Sequence, residues 1–503
     1  MKNQTVSLMA RVILLTVLLL LPIQTAFAST NQDPVPMDAG HKDAYRVNIA
    51  FDNAGNAMAV FEQKTGDAFR VYANQYIKGM GWRKPVIIDA NNGNAYRAKV
   101  AFDKEGNAIS VFKQGNETKF NIYASMYIKG MGWQKPVVVD NGTGLVDGQE
   151  IVFDDSGNAA AVFEEQNKGV SGIYVNMYIQ DRGWQGPVRI DRGKTNAYFP
   201  TPVFDSRGNL FVVYYKEDQS SGLDVYASRY DTGKRKWDRP VRITNGPRNI
   251  KNKDQEKKMR EVWTLDRRAL IELYNPLLGN DMKSKIYSGI RPYTDFKAPS
   301  KLDARYRDAY TPALVAGKNG DVAAFFVRWD GEHLRGYTAA YSPDKWWQKE
   351  RRIDSEDGYD TEHIKAAINA KGEMAVVFGQ WTKKGLRVHA RIYWHERGWG
   401  EAKIIDAAGE EPSYNPSVVL TDDSEVISVW CQWEKHAVAS FANIYKEGSG
   451  WDRAKRLNKD DAETCGVRIA KGPDGSVITI FEQGGKDSPS RLFAVGLGRP
   501  SGN

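Results

Sequence analysis

The feature that most constrains the fold is a phrase of fourteen residues that recurs about every fifty residues. It reads YIKGMGWRKPVIID at 76–89, YIKGMGWQKPVVVD at 127–140 and, more loosely, YIQDRGWQGPVRID at 178–191. Each copy follows a run ending in Phe-Asp, a glycine turn and an apolar run such as AMAVFEQ. Because these runs alternate with period two between turn residues, each repeat predicts four short antiparallel strands.

Repeats of this size predict an all-β fold, a single closed β-propeller of four-stranded blades. The copy near 259 is degenerate and follows a polar linker at 245–258. The sequence therefore predicts nine blades, with eight as the alternative if the degenerate copy is not a blade. Copies begin near residues 46, 97, 149, 200, 259, 311, 363, 415 and 466.

The two ends of the chain complement each other. The last copy stops after its third strand, SRLFAVGLG, whereas DPVPMDAG at 33–40 matches the fourth-strand phrase KPVIIDAN at 84–91. We expect the N-terminal strand to close the last blade, which removes exposed sheet edges. The propeller should span 29–503.

The first 28 residues have the features of a signal peptide. Two basic residues, Lys2 and Arg11, precede an apolar run at 12–23, and a small-residue cleavage site ends at Ala28. The alternative is an uncleaved membrane anchor. We expect a secreted or periplasmic mature protein that has no transmembrane segment.

The formal charge of +8 is scattered in mixed sign along the strands. Without a dense basic block, the sequence predicts no nucleic-acid partner. The histidines show no metal-binding spacing, and phosphate-binding and dinucleotide motifs are lacking, so we predict no metal and no cofactor. The histidines are His41, His333, His363, His389, His395 and His436.

The hairpin pattern FDxxGNAxAVF, as in FDDSGNAAAVF at 153–163, resembles bacterial secreted β-propeller repeat proteins of the sialidase-like, BNR-like type. The resemblance covers nearly all of the mature chain and implies the architecture. The strict sialidase Asp-box, S-x-D-x-G-x-T-W, is absent, so no catalytic residue can be carried over.

The tryptophan of the repeated phrase recurs in most copies, which favours packing between blades over a ring of sugar-stacking sites. Three other tryptophans depart from the template at the end of the second strand: Trp329, Trp381 and Trp433. Their spacing predicts one aromatic sector on the loop side of adjacent blades, suited to stacking on a sugar or a protein side chain. The alternative is packing between blades.

A second candidate group lies where the fourth strand passes to the next blade. Arginines on consecutive blades would give the channel mouth a positive rim suited to a carboxylated sugar, an anionic polysaccharide or an acidic peptide. The alternative is that the tyrosines anchor the loops and the arginines are solvated or paired. The candidates are Tyr45, Arg46, Tyr96, Arg97 and Arg468, with Tyr198, Tyr310 and Tyr414 at equivalent places.

The two cysteines, Cys431 and Cys465, fall on facing ends of strands in adjoining copies. An even pair in an exported protein predicts one disulfide. Two separately buried thiols are the alternative.

Together these patterns predict an exported β-propeller that binds a glycan or a protein partner through its loop side. The alternatives are a sialidase-like glycoside hydrolase and a non-catalytic scaffold subunit of an envelope or extracellular assembly. A glycosidase needs two carboxylates across a cleft. The candidate acids, Asp218, Asp330, Glu332 and Glu434, are not assigned a catalytic role.

Overall fold

The computed structural model describes most of the chain between residues 33 and 497. The side chains of Asp218, Trp329 and Ser488 are outside this description. The predicted signal peptide, the linker at 245–258 and the degenerate copy near 259 also lie outside it. The described ranges are 33–40, 43–116, 119–218, 222–244, 311–330, 333–356, 359–407, 409, 411–434, 437–459, 462–485 and 488–497.

The described residues form eight antiparallel sheets that surround a central channel. The first, innermost strands are β2 (Ala44–Phe51), β7 (Asn94–Phe102), β12 (Leu145–Phe153), β16 (Ala197–Phe204), β21 (Ala313–Ala316), β26 (Thr361–Ile368), β31 (Ser413–Leu420) and β36 (Glu463–Lys471). The second strands are β3 (Ala57–Thr65), β8 (Ala108–Gly115), β13 (Ala159–Asn167), β17 (Leu210–Asp218), β22 (Val322–Trp329), β27 (Met374–Thr382), β32 (Val426–Glu434) and β37 (Val477–Gly485).

The outer half of each sheet comprises a long third strand and a short, usually interrupted fourth strand. The third strands are β4 (Ala68–Ile77), β9 (Phe120–Ile128), β14 (Val170–Ile179), β18 (Gly222–Asp231), β23 (Leu334–Ser342), β28 (Gly385–Trp394), β33 (Ala437–Lys446) and β38 (Ser488–Gly496). The fourth strands are β5 (Gly81–Trp82) with β6 (Val86–Ile87), β10 (Gly132–Trp133) with β11 (Val137–Val138), β15 (Gly183–Arg189), β19 (Lys236–Trp237) with β20 (Val241–Arg242), β24 (Trp346–Trp347) with β25 (Arg351–Arg352), β29 (Gly398–Trp399) with β30 (Lys403–Ile404), β34 (Gly450–Trp451) with β35 (Lys455–Arg456), and β1 (Val35–Pro36).

We number the sheets blades 1 to 8 by their first strands, from β2 to β36. A single 3-10 turn, Lys318–Gly320, interrupts the described strands. No helix in the described part of the chain is long and apolar enough to cross a bilayer.

The ring has eight blades, and the prediction of nine is wrong. Blades 4 and 5 pack directly against each other: the hydroxyl of Thr201 donates to the carbonyl of Pro312 at 2.8 Å, and that of Tyr215 donates to the carbonyl of Val327 at 2.7 Å. These contacts leave no place for a further blade between the fourth and fifth sheets. The alternative of eight blades is confirmed.

Blade 8 is completed by the N-terminal strand, as predicted. Strand β1 pairs with β38 through Val35 opposite Ala494 and Pro36 opposite Phe493. The carboxylate of Asp38, next along the chain, bridges to Arg491 at 2.7 Å. Both ends of the described chain therefore contribute strands to one sheet.

The repeated Asp-x-x-Gly-Asn turn is held by its own side chains. The carboxylate of Asp52 accepts the backbone N–H groups of Ala54 and Asn56, and the Asn56 amide donates to the same carboxylate at 2.8 Å. Gly55 between them has φ +83°, a conformation that glycine adopts without strain. The turn is a structural unit, and it recurs with Asp103, Asp154 and Asp205.

The tryptophan of the repeated phrase packs both within a blade and between blades. In blade 1, Trp82 contacts Tyr76 with ring centroids 5.6 Å apart, an arrangement that recurs in other blades. Across the seam between blades 5 and 6, Trp399 meets Phe325 at 5.9 Å. Because each such ring removes a large apolar area from water, the repeated phrase is explained by packing.

Candidate functional site

One side of the ring carries the segments that diverge most from the repeat. In an antiparallel blade, the turn from second to third strand and the connection from fourth strand to the next blade lie at the same end of the sheet. We call this side the loop face. It contains the ends of the strands on which the sequence placed the candidate residues.

Of the predicted candidates, Tyr45, Arg46, Tyr96 and Arg97 lie on a bulge that recurs in the first strands. In blade 1 the register shifts between Tyr45 and Asn48, with Arg46 in the left-handed region. Bulges of this kind re-aim side chains at the mouth of a barrel or ring. The bulged residues have φ between 52° and 66°: Arg46, Arg97, Gly148, Phe199, His363, Asn415 and Gly466.

Buried glutamates stabilise three of these bulges from the preceding blade. The backbone N–H of Arg46 donates to Glu482 at 2.8 Å, and that of Arg97 donates to Glu62 at 2.6 Å. The same pattern joins Phe199 to Glu164. Burial raises the pKa of Glu482, while the N–H of Arg46 lowers it.

The arginine side chains at the channel mouth are paired with carboxylates. Arg46 reaches Glu62 at 3.1 Å, and Arg97 lies 3.9 Å from Asp147. Arg468 pairs with Ile480 in blade 8, and its counterpart in blade 1 is Asn48, which pairs with Val60. Arg468 therefore lies two positions beyond the register position that Arg46 occupies in blade 1. The mouth therefore carries mixed charge, and an anion-binding role for these arginines remains a prediction.

The tyrosine rings of this group pack along the seams. Tyr96 is buried between Phe69 and Phe120, with ring centroids 5.7 and 6.0 Å away. Tyr45 contacts Phe69 from the other side at 6.3 Å. Tyr310 lies outside the described residues. The rings anchor the first strands to their neighbours.

Of the three template-departing tryptophans, the two whose side chains are described lie in different environments. Trp433 is 9% exposed and packs in the seam between blades 7 and 8. Trp381 is partly exposed at the end of β27. The backbone of Trp329 pairs with Leu334, but its side chain is outside the description. Of the two described rings, Trp381 presents the larger surface to the loop face.

Next to Trp381, the loop face carries a histidine, an aspartate and a tyrosine from two different connections. His333 Nδ1 lies 3.2 Å from the carboxylate of Asp360, and both side chains are partly exposed. The ring of Tyr359, which is 41% exposed, meets the His333 ring edge-on at 5.8 Å. We call His333, Tyr359 and Asp360 the histidine cluster.

Backbone contacts fix this cluster. Tyr359 and Asp360 extend the first strand of blade 6 by pairing with Trp381. The N–H of Trp381 donates to the backbone carbonyl of Asp360, and the N–H of Tyr359 donates to the backbone carbonyl of Trp381. The N–H of Leu334 donates to the Asp360 carboxylate at 2.9 Å. The His333 turn of blade 5 and the edge of blade 6 are thus joined by the same carboxylate.

A second layer of charge supports the turn. Asp330 accepts the N–H of His333 at 2.8 Å and pairs with Arg335 at 3.2 Å. Arg335 also donates to the carbonyl of Tyr359 at 3.2 Å. Arg335 therefore links the two connections from beneath the cluster.

Sequence patterns do not bring the histidine cluster together. In the sequence, His333 is one of six histidines without metal-binding spacing, and Asp330 is one candidate acid among several. A signal was available, because both connections replace the repeat's usual phrases, with WDGEHL at 329–334 and EDGYDTE at 356–362. Their proximity depends on the packing of two blades.

The other candidate acids do not form a pair in the described residues. Glu434 lies 3.6 Å from Arg456 and is 44% exposed. The Asp218 side chain and Glu332 are outside the description. A group of three or more His, Cys, Asp or Glu side chains that could hold a metal is absent from the described part of the chain.

The two cysteines meet at the seam between blades 7 and 8. Their sulfur atoms lie 2.6 Å apart and are not covalently joined in the structure. Burial raises the pKa of Cys431, and the hydrogen bond from Cys431 lowers that of Cys465. The geometry brings the thiols together, and the disulfide remains a prediction.

Comparisons with known proteins give no sequence match: neither a protein-family model nor a curated protein matches the chain. Among solved structures, it is similar to a polysaccharide lyase of family PL25, an ulvan lyase, with a TM-score of 0.51 and 11% identity over 92% of this chain and 96% of that one. The same lyase bound to -[GlcA(1-4)Rha3S]- gives a TM-score of 0.49, with 11% identity and the same coverage.

A Dyadobacter fermentans protein of unknown function gives a TM-score of 0.43 and 11% identity over 93% of this chain and 98% of that one. At these identities only the fold is shared. The chain is thus an eight-bladed β-propeller of the architecture seen in a polysaccharide lyase.

Proposed function

We propose that the chain is an exported enzyme that binds and cleaves an acidic polysaccharide on the loop face of blades 5 and 6. The observation that carries the proposal is the histidine cluster, in which His333 lies 3.2 Å from Asp360 beside an exposed tyrosine. Acid and base groups of this kind, held by the edges of rigid strands, are the elements of proton-transfer catalysis.

In this proposal the three side chains of the histidine cluster have separate roles in proton transfer. With Nδ1–H donated to Asp360, Nε2 is the basic nitrogen of His333, and the carboxylate stabilises the imidazolium that forms when this nitrogen takes a proton. The Tyr359 hydroxyl is a second proton donor or acceptor. A base and an acid within reach of the same sugar unit are what cleavage of a uronate chain by elimination requires.

The surroundings favour a negatively charged sugar chain. Trp381 offers an aromatic surface, and the turn that follows it carries two exposed lysines, Lys383 and Lys384. Aromatic rings stack on sugar faces, and ammonium groups attract carboxylates or sulfates. An acidic polysaccharide therefore suits this sector better than a neutral one.

The comparison with the ulvan lyase supports the class of substrate. That protein is a polysaccharide lyase built on a propeller of the same overall fold. The placement of the site on blades 5 and 6 rests on the contacts of this chain alone.

The test is a cleavage assay with the mature protein on a panel of uronate-containing, sulfated and neutral polysaccharides. Reducing-end release detects either reaction, and ultraviolet absorbance of an unsaturated uronate end identifies elimination. We expect cleavage of at least one acidic polysaccharide. His333→Asn and Tyr359→Phe should each lower the rate by about 10²–10⁴-fold.

The matched control is His395→Asn, because His395 is an exposed histidine on the turn between the third and fourth strands of blade 6, at the opposite end of the sheet. It should leave the rate unchanged. If H333N retains full activity while the wild-type cleaves, the assigned site is wrong. Tight binding without cleavage would make the protein a glycan-binding propeller, and Trp381→Ala should then weaken that binding.

A further inference from the structure

Buried aspartates end the fourth strands in six of the described blades, and five of them are held by an arginine of the same blade. The ion pairs are Asp38–Arg491, Asp89–Arg70, Asp191–Arg189, Asp354–Arg352 and Asp406–Arg387. These carboxylates are completely buried, so the arginines compensate a charge that water does not reach. The sixth aspartate, Asp140 of blade 2, has no arginine among the described residues.

Both positions that supply the arginine elsewhere are neutral in blade 2. In blade 1, Arg70 on the third strand pairs with Gln63 on the second strand. In blade 2, Asn121 occupies the position of Arg70, since it pairs with Gln114. In blade 3, Arg189 on the fourth strand pairs with Tyr174 on the third strand. In blade 2, Val138 occupies the position of Arg189, since it pairs with Tyr123. The sequence thus removes the cation but keeps the carboxylate.

The neighbouring blade adds a second negative charge. Glu165 occupies the register position of Gln114, whose amide donates to Asp89 at 3.2 Å in the preceding seam. Glu165 is fully buried, and it accepts hydrogen bonds from Asn141 at 2.9 Å and Thr143 at 2.8 Å. An amide that would donate to the aspartate is replaced here by a carboxylate.

Asp140 itself is 9% exposed, and within the described residues neither of its carboxylate oxygens accepts a well-formed hydrogen bond. Burial raises its pKa to about 6 and the charge of Glu165 adds to this rise, while the backbone N–H groups of Ile122 and Gly142 lower it. A buried carboxylate without a counter-ion is costly, and a second one beside it raises the cost. The seam therefore lacks a positive charge that its counterparts contain.

We propose that the seam between blades 2 and 3 binds a hard divalent cation of the calcium class, which takes the place of the missing arginine. The carboxylates of Asp140 and Glu165 are its charged ligands. The neutral oxygens come from Asn141 and Thr143, whose side chains contact Glu165, and from Asn121, which occupies the register position of Arg70. Oxygen donors of this kind suit calcium. Neither histidine spacing nor a calcium-loop motif marks this site in the sequence, because its carboxylate and neutral oxygens come from separate parts of the repeat.

With only two carboxylates, the affinity should be modest, with Kd on the order of 10⁻⁴–10⁻³ M. The experiment measures the thermal unfolding midpoint of the full mature protein at neutral pH, first in chelator and then with calcium chloride. We expect the wild-type midpoint to rise by about 1–3 °C at ~10 mM calcium. Calorimetric titration should show one site per chain.

Two variants and a control decide the question. Asn121→Arg restores the arginine that blade 1 carries, so it should abolish calcium binding and match the calcium-loaded wild-type in stability. Asp140→Asn should also abolish binding. Asp155→Asn, which removes an exposed carboxylate of an unrelated turn, should keep the full response. A wild-type midpoint unaffected by calcium, or an unchanged response in N121R, would overturn the proposal; neither result bears on polysaccharide cleavage.

Discussion

The hydroxyl of Tyr215 provides a quantitative test of how blades 4 and 5 meet. Strand β21 begins at Ala313, opposite Phe325, so its ladder stops two residues short of Val327. The Tyr215 hydroxyl makes the hydrogen bonds that β21 is too short to make with Val327. It donates to the Val327 carbonyl at 2.7 Å and accepts the Val327 N–H at 3.1 Å. Burial raises the pKa of Tyr215, so this hydroxyl stays neutral.

Tyr215→Phe retains the ring but leaves two buried backbone groups without these bonds. Each buried group that loses its partner costs about 1–3 kcal/mol, so the free energy of unfolding should fall by roughly 2–6 kcal/mol. Tyr214→Phe is the matched control, because Tyr214 is equally buried but bonds only within its own blade, to Ser228 at 3.0 Å. That variant should lose about 0.5–1.5 kcal/mol.

Urea unfolding followed by tryptophan fluorescence measures both variants on the same protein. A loss in Y215F no larger than that in Y214F would refute the argument that this hydroxyl bridges blades 4 and 5.

Three further outcomes are expected. The unfolded, unreduced mature protein should show no titratable thiol, and two free thiols would rule out the disulfide between Cys431 and Cys465. Asp38→Asn should lower the free energy of unfolding by about 1–3 kcal/mol and speed proteolysis of blade 8, because the carboxylate binds Arg491 and a backbone N–H; unchanged proteolysis would contradict this. In chelator, stability should fall as pH rises from about 4 to about 6, because the pKa of Asp140 is raised from 3.8 to about 6 in the folded state, which holds the proton more tightly than the unfolded chain does. D140N should lack this fall, and an identical pH profile in both proteins would show that Asp140 is not its source.

The local parts of the fold could be predicted from the sequence because they depend on short-range chemistry. The Asp-x-x-Gly-Asn turn forms from five consecutive residues. The closing strand could be recognised because 33–40 resembles an internal repeat. His389 stands where other blades have tyrosine, and it stacks on Phe378 at 5.5 Å as those rings stack on their phenylalanines.

The parts that could not be predicted depend on how blades pack against each other. A degenerate copy at 259 has the right order of phrases for a blade, yet within the described residues blades 4 and 5 are in direct contact. Spacing placed Trp381 and Trp433 in equivalent positions, yet the neighbouring blade buries only Trp433 to 9% exposure. His333 and Asp360 come together because a turn of one blade meets the edge of the next, which sequence periodicity does not encode.

The composition of blade 8 also sets an order of events in synthesis. Its fourth strand, β1, is among the first segments of the propeller to be made, whereas its third strand, β38, is among the last. The sheet cannot be completed until 488–496 has been translated, so a partly made chain carries an open edge throughout. A protein that crosses a membrane unfolded would meet this requirement naturally, since its ring would shut only after both ends had arrived on the far side.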